Sequence, residues 1–207
     1  TKNWCTLNPL AKGTGATVLS EGNLKLTDSV GPANSIYGSI TMTSGKWYWE
    51  VKWVSGSGNE IQMGIIDNNV VPGAAGKTDA SSFRIYMAAS TYYEGSSDEG
   101  AYGGTAFAAG DTVQIAYDAD AGKLWYGRDG TFQGDPAAGS GEASSGITAG
   151  QKVPLIQTYG ASGVHVQVVE CDFGQSGFAF TVPTGFNDGV NTANLPTPTI
   201  LDGTANF

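Results

Sequence analysis

Apolar and polar positions alternate along most of this chain, in short runs separated by glycine-rich turns. GKWYWEVKW (45–53) is the clearest case, because Trp47, Trp49, Val51 and Trp53 fall on one side of an extended segment. Tyr48, Glu50 and Lys52 take the other side, which reads as the more polar one. Comparable runs predict strands over 17–20, 23–27, 36–41, 46–54, 60–66, 83–87, 112–118, 123–127, 153–158, 164–173 and 178–182. Short strands with glycine-rich connections predict an antiparallel sandwich. Asp118-Ala-Asp-Ala-Gly122 reads as a hairpin loop, and Arg128-Asp-Gly-Thr131 as a turn whose Asp-Gly pair suits two positive φ values. Three stretches lack strand signal: 67–82, 88–110 and the Gly/Ala/Ser-rich 133–150. Long loops of this kind are where a rigid sandwich usually carries its binding function. The organisation expected is one domain over 1–186 and an extended, Pro-containing tail or linker over 187–207.

Composition narrows the function classes. With 207 residues the chain is long enough for one sizeable all-β core, and 31 glycines favour turns over helices. A net charge of −9 argues against nucleic acid, which needs clustered Lys and Arg, and against an anionic membrane surface. No apolar run approaches the ~20 residues that cross a bilayer, and the N-terminus has no signal-peptide pattern. The chain opens on Thr1 without a methionine, so processing or excision from a longer polypeptide is expected. Cys5 and Cys171 read as small core residues of a reduced protein, with a disulfide as the alternative if the terminal strands pair. Cysteine spacing offers no zinc site, and there is no Asn-x-Ser/Thr sequon.

Three ordered strings carry a resemblance. They are GKWYWEV (45–51), GDTVQIAYDADAGKLWYGRDG (110–130) and VVECDFGQSGFAFTVPTGF (168–186). Together they resemble the SPRY domain family, whose markers are a Gly-x-x-Tyr-Trp-Glu-Val strand, a Gly-Asp strand with a Leu-x-Phe-x-x-Asn-Gly hairpin, and a late Phe-Gly strand. Tyr126 stands at the aromatic position of that hairpin, and Asp129 replaces its Asn. The resemblance implies an all-β, bent two-sheet antiparallel β-sandwich with long glycine-rich loops. NWCTLNPL (3–10), GNLKL (22–26) and TANLPTPTILDG (192–203) are similar to segments of SPRY-containing structural proteins of tailed bacteriophages. That second likeness implies a place on a virion exterior, as a tail-fibre or capsid-decorating part, with homo-oligomers arising through virion assembly.

The tryptophan stripe reads as core rather than as a stacking platform, since the matching SPRY strand lies within the sandwich and aromatic stripes at strand period are usually core. Leu124 and Tyr126 follow the family's inward pattern, which leaves Trp125 pointing outward. Tyr92, Tyr93, Tyr102 and Phe107 lie in the long middle loop. Rigid aromatics on loops give contact area at low entropic cost. SPRY domains bind partners through loops at one rim, so Trp125, Tyr92, Tyr93, Tyr102, Phe107, Arg84 and Asp67 are the candidate binding residues.

Catalytic and metal readings are weaker. His165, the only histidine, sits beside Gln167 without a nucleophile elbow. The adjacent Asp98-Glu99 pair would point to opposite faces, and no Glu-x-Asp-x-x-Glu string of a sandwich glycosidase is present. Asp118-x-Asp120 and Asp67-Asn-Asn69 lack the further oxygen ligands of a calcium loop. The expected function is therefore a non-enzymatic binding or structural module without cofactor or metal, engaging a virion protein or a host surface polysaccharide. The alternatives are a carbohydrate-active enzyme using Glu94, Asp98 or Glu99, and a purely structural spacer.

Overall fold

The computed structural model describes residues 2–15, 17–28, 34–56, 61–73, 79–87, 90–103, 106–158 and 166–196. Alternating side chains form fourteen strands among these residues: β1 (Leu7–Lys12), β2 (Thr17–Ser20), β3 (Lys25–Asp28), β4 (Asn34–Gly38), β5 (Lys46–Ser55), β6 (Ile61–Asp67), β7 (Phe83–Tyr86), β8 (Thr91–Glu94), β9 (Ser97–Ala101), β10 (Thr112–Asp118), β11 (Lys123–Arg128), β12 (Thr131–Phe132), β13 (Lys152–Thr158) and β14 (Gln167–Asp172). They build two antiparallel sheets. The first runs β1-β4-β13-β6-β7-β8-β9, and the second runs β12-β11-β10-β5-β14-β3-β2. The only helical element among the described residues is a 3₁₀ turn at Thr192–Asn194. The all-β sandwich read from the sequence is the fold.

The core lies between the sheets, and β5 runs through the middle of the second one, paired with β10 in continuous register and with β14 across a register shift at Val168/Val169. Trp47, Trp49 and Trp53 all face it, at 0%, 1% and 5% exposure. Each tryptophan removes ~150–250 Å² from water, a gross gain of about 4–6 kcal/mol at ~25 cal/mol/Å². The stripe is packing, as expected. Gly64 shows how tightly the sheets meet. A Cβ there would lie 1.9 Å from the Phe83 carbonyl oxygen and 2.7 Å from the Tyr126 hydroxyl. Asp129 and Gly130 take φ of 47° and 91°, and Gly122 takes 62°, so both anticipated turns form as the Asp-Gly and Gly positions dictate.

Four expectations need correction. The segment 178–182 is not a strand but part of a strap, 173–186, that crosses the outer face of the second sheet. Phe178, Val182 and Phe186 lie there over Tyr48, Ala116 and Trp125. The supposedly polar side of the GKWYWEVKW strand is consequently roofed. Tyr48 and Glu50 are 0% and 3% exposed, and Lys52 alone remains open. The stretch 88–110, which lacked strand signal, holds the β8–β9 hairpin, because ladder hydrogen bonds need no apolar alternation on an exposed edge. The chain does not leave the domain at residue 187. Val190 and Asn191 are fully buried, the Cys5 N–H donates to the Val190 carbonyl at 2.8 Å, and Trp4 pairs with Asn191. Residues 197–207 and His165 lie outside the described residues.

Candidate functional site

The outer face of the first sheet gathers a cluster that alternation in β7 and β8 explains. Arg84 and Tyr86 alternate with the inward Phe83 and Ile85, and the β7–β8 register sets Arg84 opposite Tyr93. The Arg84 guanidinium lies 5.7 Å from the Tyr93 ring centre, within cation–π range. Tyr93 in turn meets Tyr86 edge-on, at 6.1 Å and 78°. The Tyr93 hydroxyl donates to Asp98 Oδ2 on β9 at 3.3 Å. Tyr86 and Tyr93 are half-buried, and β9 is exposed along its whole length.

Arg84 itself is 0% exposed. Its nitrogens donate to Ser82 Oγ at 3.2 Å, to Gln62 Oε1 and to the Gly95 carbonyl. Burial draws its pKa down to about 10, still far above neutrality. A guanidinium that stays charged, fixed by the β8–β9 turn and by β6, therefore supports the Tyr93 ring, which in turn meets Tyr86. Burial, followed by the Asp98 carboxylate, raises the Tyr93 phenol above its ordinary value, so Tyr93 stays a neutral donor.

The remaining sequence candidates do not join this face. Trp125 points away from the sandwich, as expected, yet it is 0% exposed because the strap covers it. Phe186 meets its ring edge-on at 6.2 Å, and its Nε1 donates to the Ser140 carbonyl at 2.9 Å. Tyr92 is 2% exposed and turned inward beside Tyr126, and Phe107 is buried in the same core beneath Arg128. Direct partner contact by Trp125, Tyr92, Phe107 or Arg84 is thus corrected, because all four side chains are buried, two of them in the core and Trp125 and Arg84 under cover on an outer face. Tyr102 is half-buried, packed on Tyr126 and bonded to the Gly141 carbonyl at 2.9 Å, so it fastens its own loop. Asp67, at the end of β6, pairs with the buried Lys152 at 2.6 Å. Tyr86 and Gln62 were missed, although the FRIY run could have indicated Tyr86 through its alternation with Arg84.

Two of the three acids of the enzymatic alternative, Glu94 and Asp98, are occupied locally. Glu94 accepts from the Tyr92 and Ser144 hydroxyls, and Asp98 from the Gly100 N–H and the Tyr93 hydroxyl. No group of three or more His, Cys, Asp or Glu suited to a metal occurs among the described residues. No helix among them is long and apolar enough to cross a membrane.

Residues 46–142 match the SPRY domain family. The crystal structure of the SPRY domain of human HERC1 superposes with a TM-score of 0.64 and 16% identity, over 80% of this chain and 96% of that one. The fold is the SPRY fold. No curated protein sequence matches the chain. The matched stretch contains β5 through β12 and so the whole Arg84–Tyr93–Tyr86 cluster, whereas β1–β4, β13, β14 and the strap lie outside it. SPRY domains are in general non-enzymatic protein-interaction modules, which is the function class the match supports.

Proposed function

We propose that the chain is a non-enzymatic interaction module that docks a protein partner on the face formed by β7, β8 and β9. The observation that carries this reading is half-buried Tyr93, held over buried Arg84 and edge-to-face with half-buried Tyr86. Tyrosine loses little entropy on binding and offers both ring and hydroxyl, which is why it recurs at interface hot spots. Asp98 and the open β9 edge add a polar rim. The proposed setting is a virion exterior, with a neighbouring virion protein as partner, and it rests on the terminal strings 3–10, 22–26 and 192–203. A host surface polysaccharide is the second reading, supported by the same tyrosines because sugar rings stack on aromatic faces.

A photo-crosslinking residue at position 93 tests the face, with one at the exposed Thr14 as the control. A discrete protein adduct at 93 and none at 14 is expected; equal labelling at both positions would overturn the docking face. A panel of bacterial surface polysaccharides tests the second reading, with bound and released sugar measured together. Saturable binding lost in Tyr93→Ala without release would make the partner a glycan, and released sugar would make the module an enzyme.

A further inference from the structure

Where β6 ends and β13 begins, a cavity of about 340 Å³ opens at the surface, near the lower end of the ~300–1,000 Å³ range of ligand pockets. Among the described residues it is lined by Asp67, Asn68, Asn69, Gly150 and Gln151, without an apolar side chain. Its two walls are laced together. The Asn68 N–H donates to the Gln151 carbonyl at 2.8 Å. Asn68 Nδ2 donates to Gln151 Oε1 at 2.9 Å and to Thr41 Oγ1 at 3.3 Å. Those bonds hold the walls in place before a ligand arrives, which lowers the cost of binding.

Charge in this cavity is balanced, while hydrogen-bonding capacity is left over. Asp67 Oδ1 pairs at 2.6 Å with Lys152, which is 2% exposed. The second Asp67 oxygen, Asn68 Oδ1, Gln151 Nε2 and the exposed Asn69 amide make no hydrogen bond among the described residues. Gly150 has no positive φ, so its backbone does not call for glycine. What a side chain would remove is space, because a Cβ there would lie 3.2 Å from Asp67 Oδ1. In the core, within the field of the same carboxylate, Tyr117 is 0% exposed and its hydroxyl has no hydrogen-bond partner among the described residues. Burial, then the Asp67 carboxylate, raises the pKa of that hydroxyl above its ordinary value, so it stays a neutral donor. A buried donor left unpaired is costly.

We propose that this cavity binds a neutral sugar unit of a glycan, at a site separate from the tyrosine face and independent of what that face docks. Sugar hydroxyls both donate and accept, which matches free carboxylate and amide oxygens standing beside free amide N–H groups. Other ligand classes fit the lining less well. A phosphate or nucleic acid finds no Lys or Arg in it. A calcium ion finds one carboxylate, already paired with Lys152. An apolar group finds no apolar side chain to pack on.

The test is an amide-resolved NMR titration of the whole chain with the methyl glycosides of glucose, galactose, mannose, rhamnose and N-acetylglucosamine. Saturable shifts centred on Asp67, Asn68, Asn69, Gly150 and Gln151 are expected with at least one of them. Asn69→Ala removes an exposed side chain that holds nothing in the fold, and should weaken that binding about three- to tenfold, the worth of one hydrogen bond. Gly150→Ala should weaken it at least as much, because the added methyl crowds Asp67. Tyr93→Ala should leave the titration unchanged, which separates this site from the tyrosine face. No saturable shift at these amides with any of the glycosides would overturn the proposal, as would unaltered affinity in both cavity variants. Equal shifts with glycerol would do the same, by reducing the site to a general polyol trap, and a response to calcium chloride alone would assign it to a cation.

Discussion

Trp49 is 1% exposed on the inner side of β5, with Ile115 opposite it on β10. Trp49→Ala should lower stability by about 3–5 kcal/mol in a urea melt, since the sheets cannot close on the void. Sequence alternation identified this stripe because burial against the opposite sheet is what period two reports. The same rule placed Trp125 outward, correctly, but it carries no information about what lies above an outer face. The cover comes from Phe178, Val182 and Phe186, more than fifty residues away in sequence. Cys5 and Cys171 are unbonded and buried, at 0% and 4% exposure. Burial pushes the Cys5 thiol up to about 11 and raises Cys171 well above its ordinary range. Neither should react with an aromatic disulfide reagent at pH 8 until denaturant is added, and both should then titrate.

Among the elements, the strap depends on one carboxylate. Glu50 accepts the Tyr48 hydroxyl at 2.6 Å and the Ala179 and Phe180 N–H groups at 3.0 Å each. Glu50→Gln turns one acceptor into a donor facing those N–H groups, and should cost about 1–3 kcal/mol. Faster proteolysis within 176–186 would show that the loss falls on the strap. The segment 187–196 is held differently, by Asp188 bonded to Lys2 and Asn194. The Lys2 ammonium, then Asn194, lowers the Asp188 pKa below its ordinary 3.8. A depressed carboxylate stabilises fully above its unfolded value, and that contribution is lost as pH falls through the folded one. Acidification below about pH 4 should therefore loosen this segment, read as faster amide exchange at Val190 and Thr192. Sequence reading made 187–207 a tail because proline and missing alternation hide a packed segment. Its anchors, Val190 and Asn191, are single residues without a period.

At the scale of the whole molecule, the sequence carried the sandwich class and most strand positions through alternation and turn chemistry. It missed β1, where Pro9 and a register shift break the pattern, and it missed the β8–β9 hairpin, whose second strand is exposed on both sides. The tyrosine face was half legible for the same reason. Arg84 and Tyr93 were named singly, but their meeting depends on a strand register that no local string reveals.

The two ends of the packed chain lie side by side, with the Asn3 N–H donating to Thr192 Oγ1 at 3.0 Å and the Thr192 N–H to the Asn3 carbonyl at 2.9 Å. Entry and exit at one point make the sandwich a plug-in unit. It can be spliced into a surface turn of another protein without forcing that turn apart, and its order of strands can be circularly permuted across a short bridge.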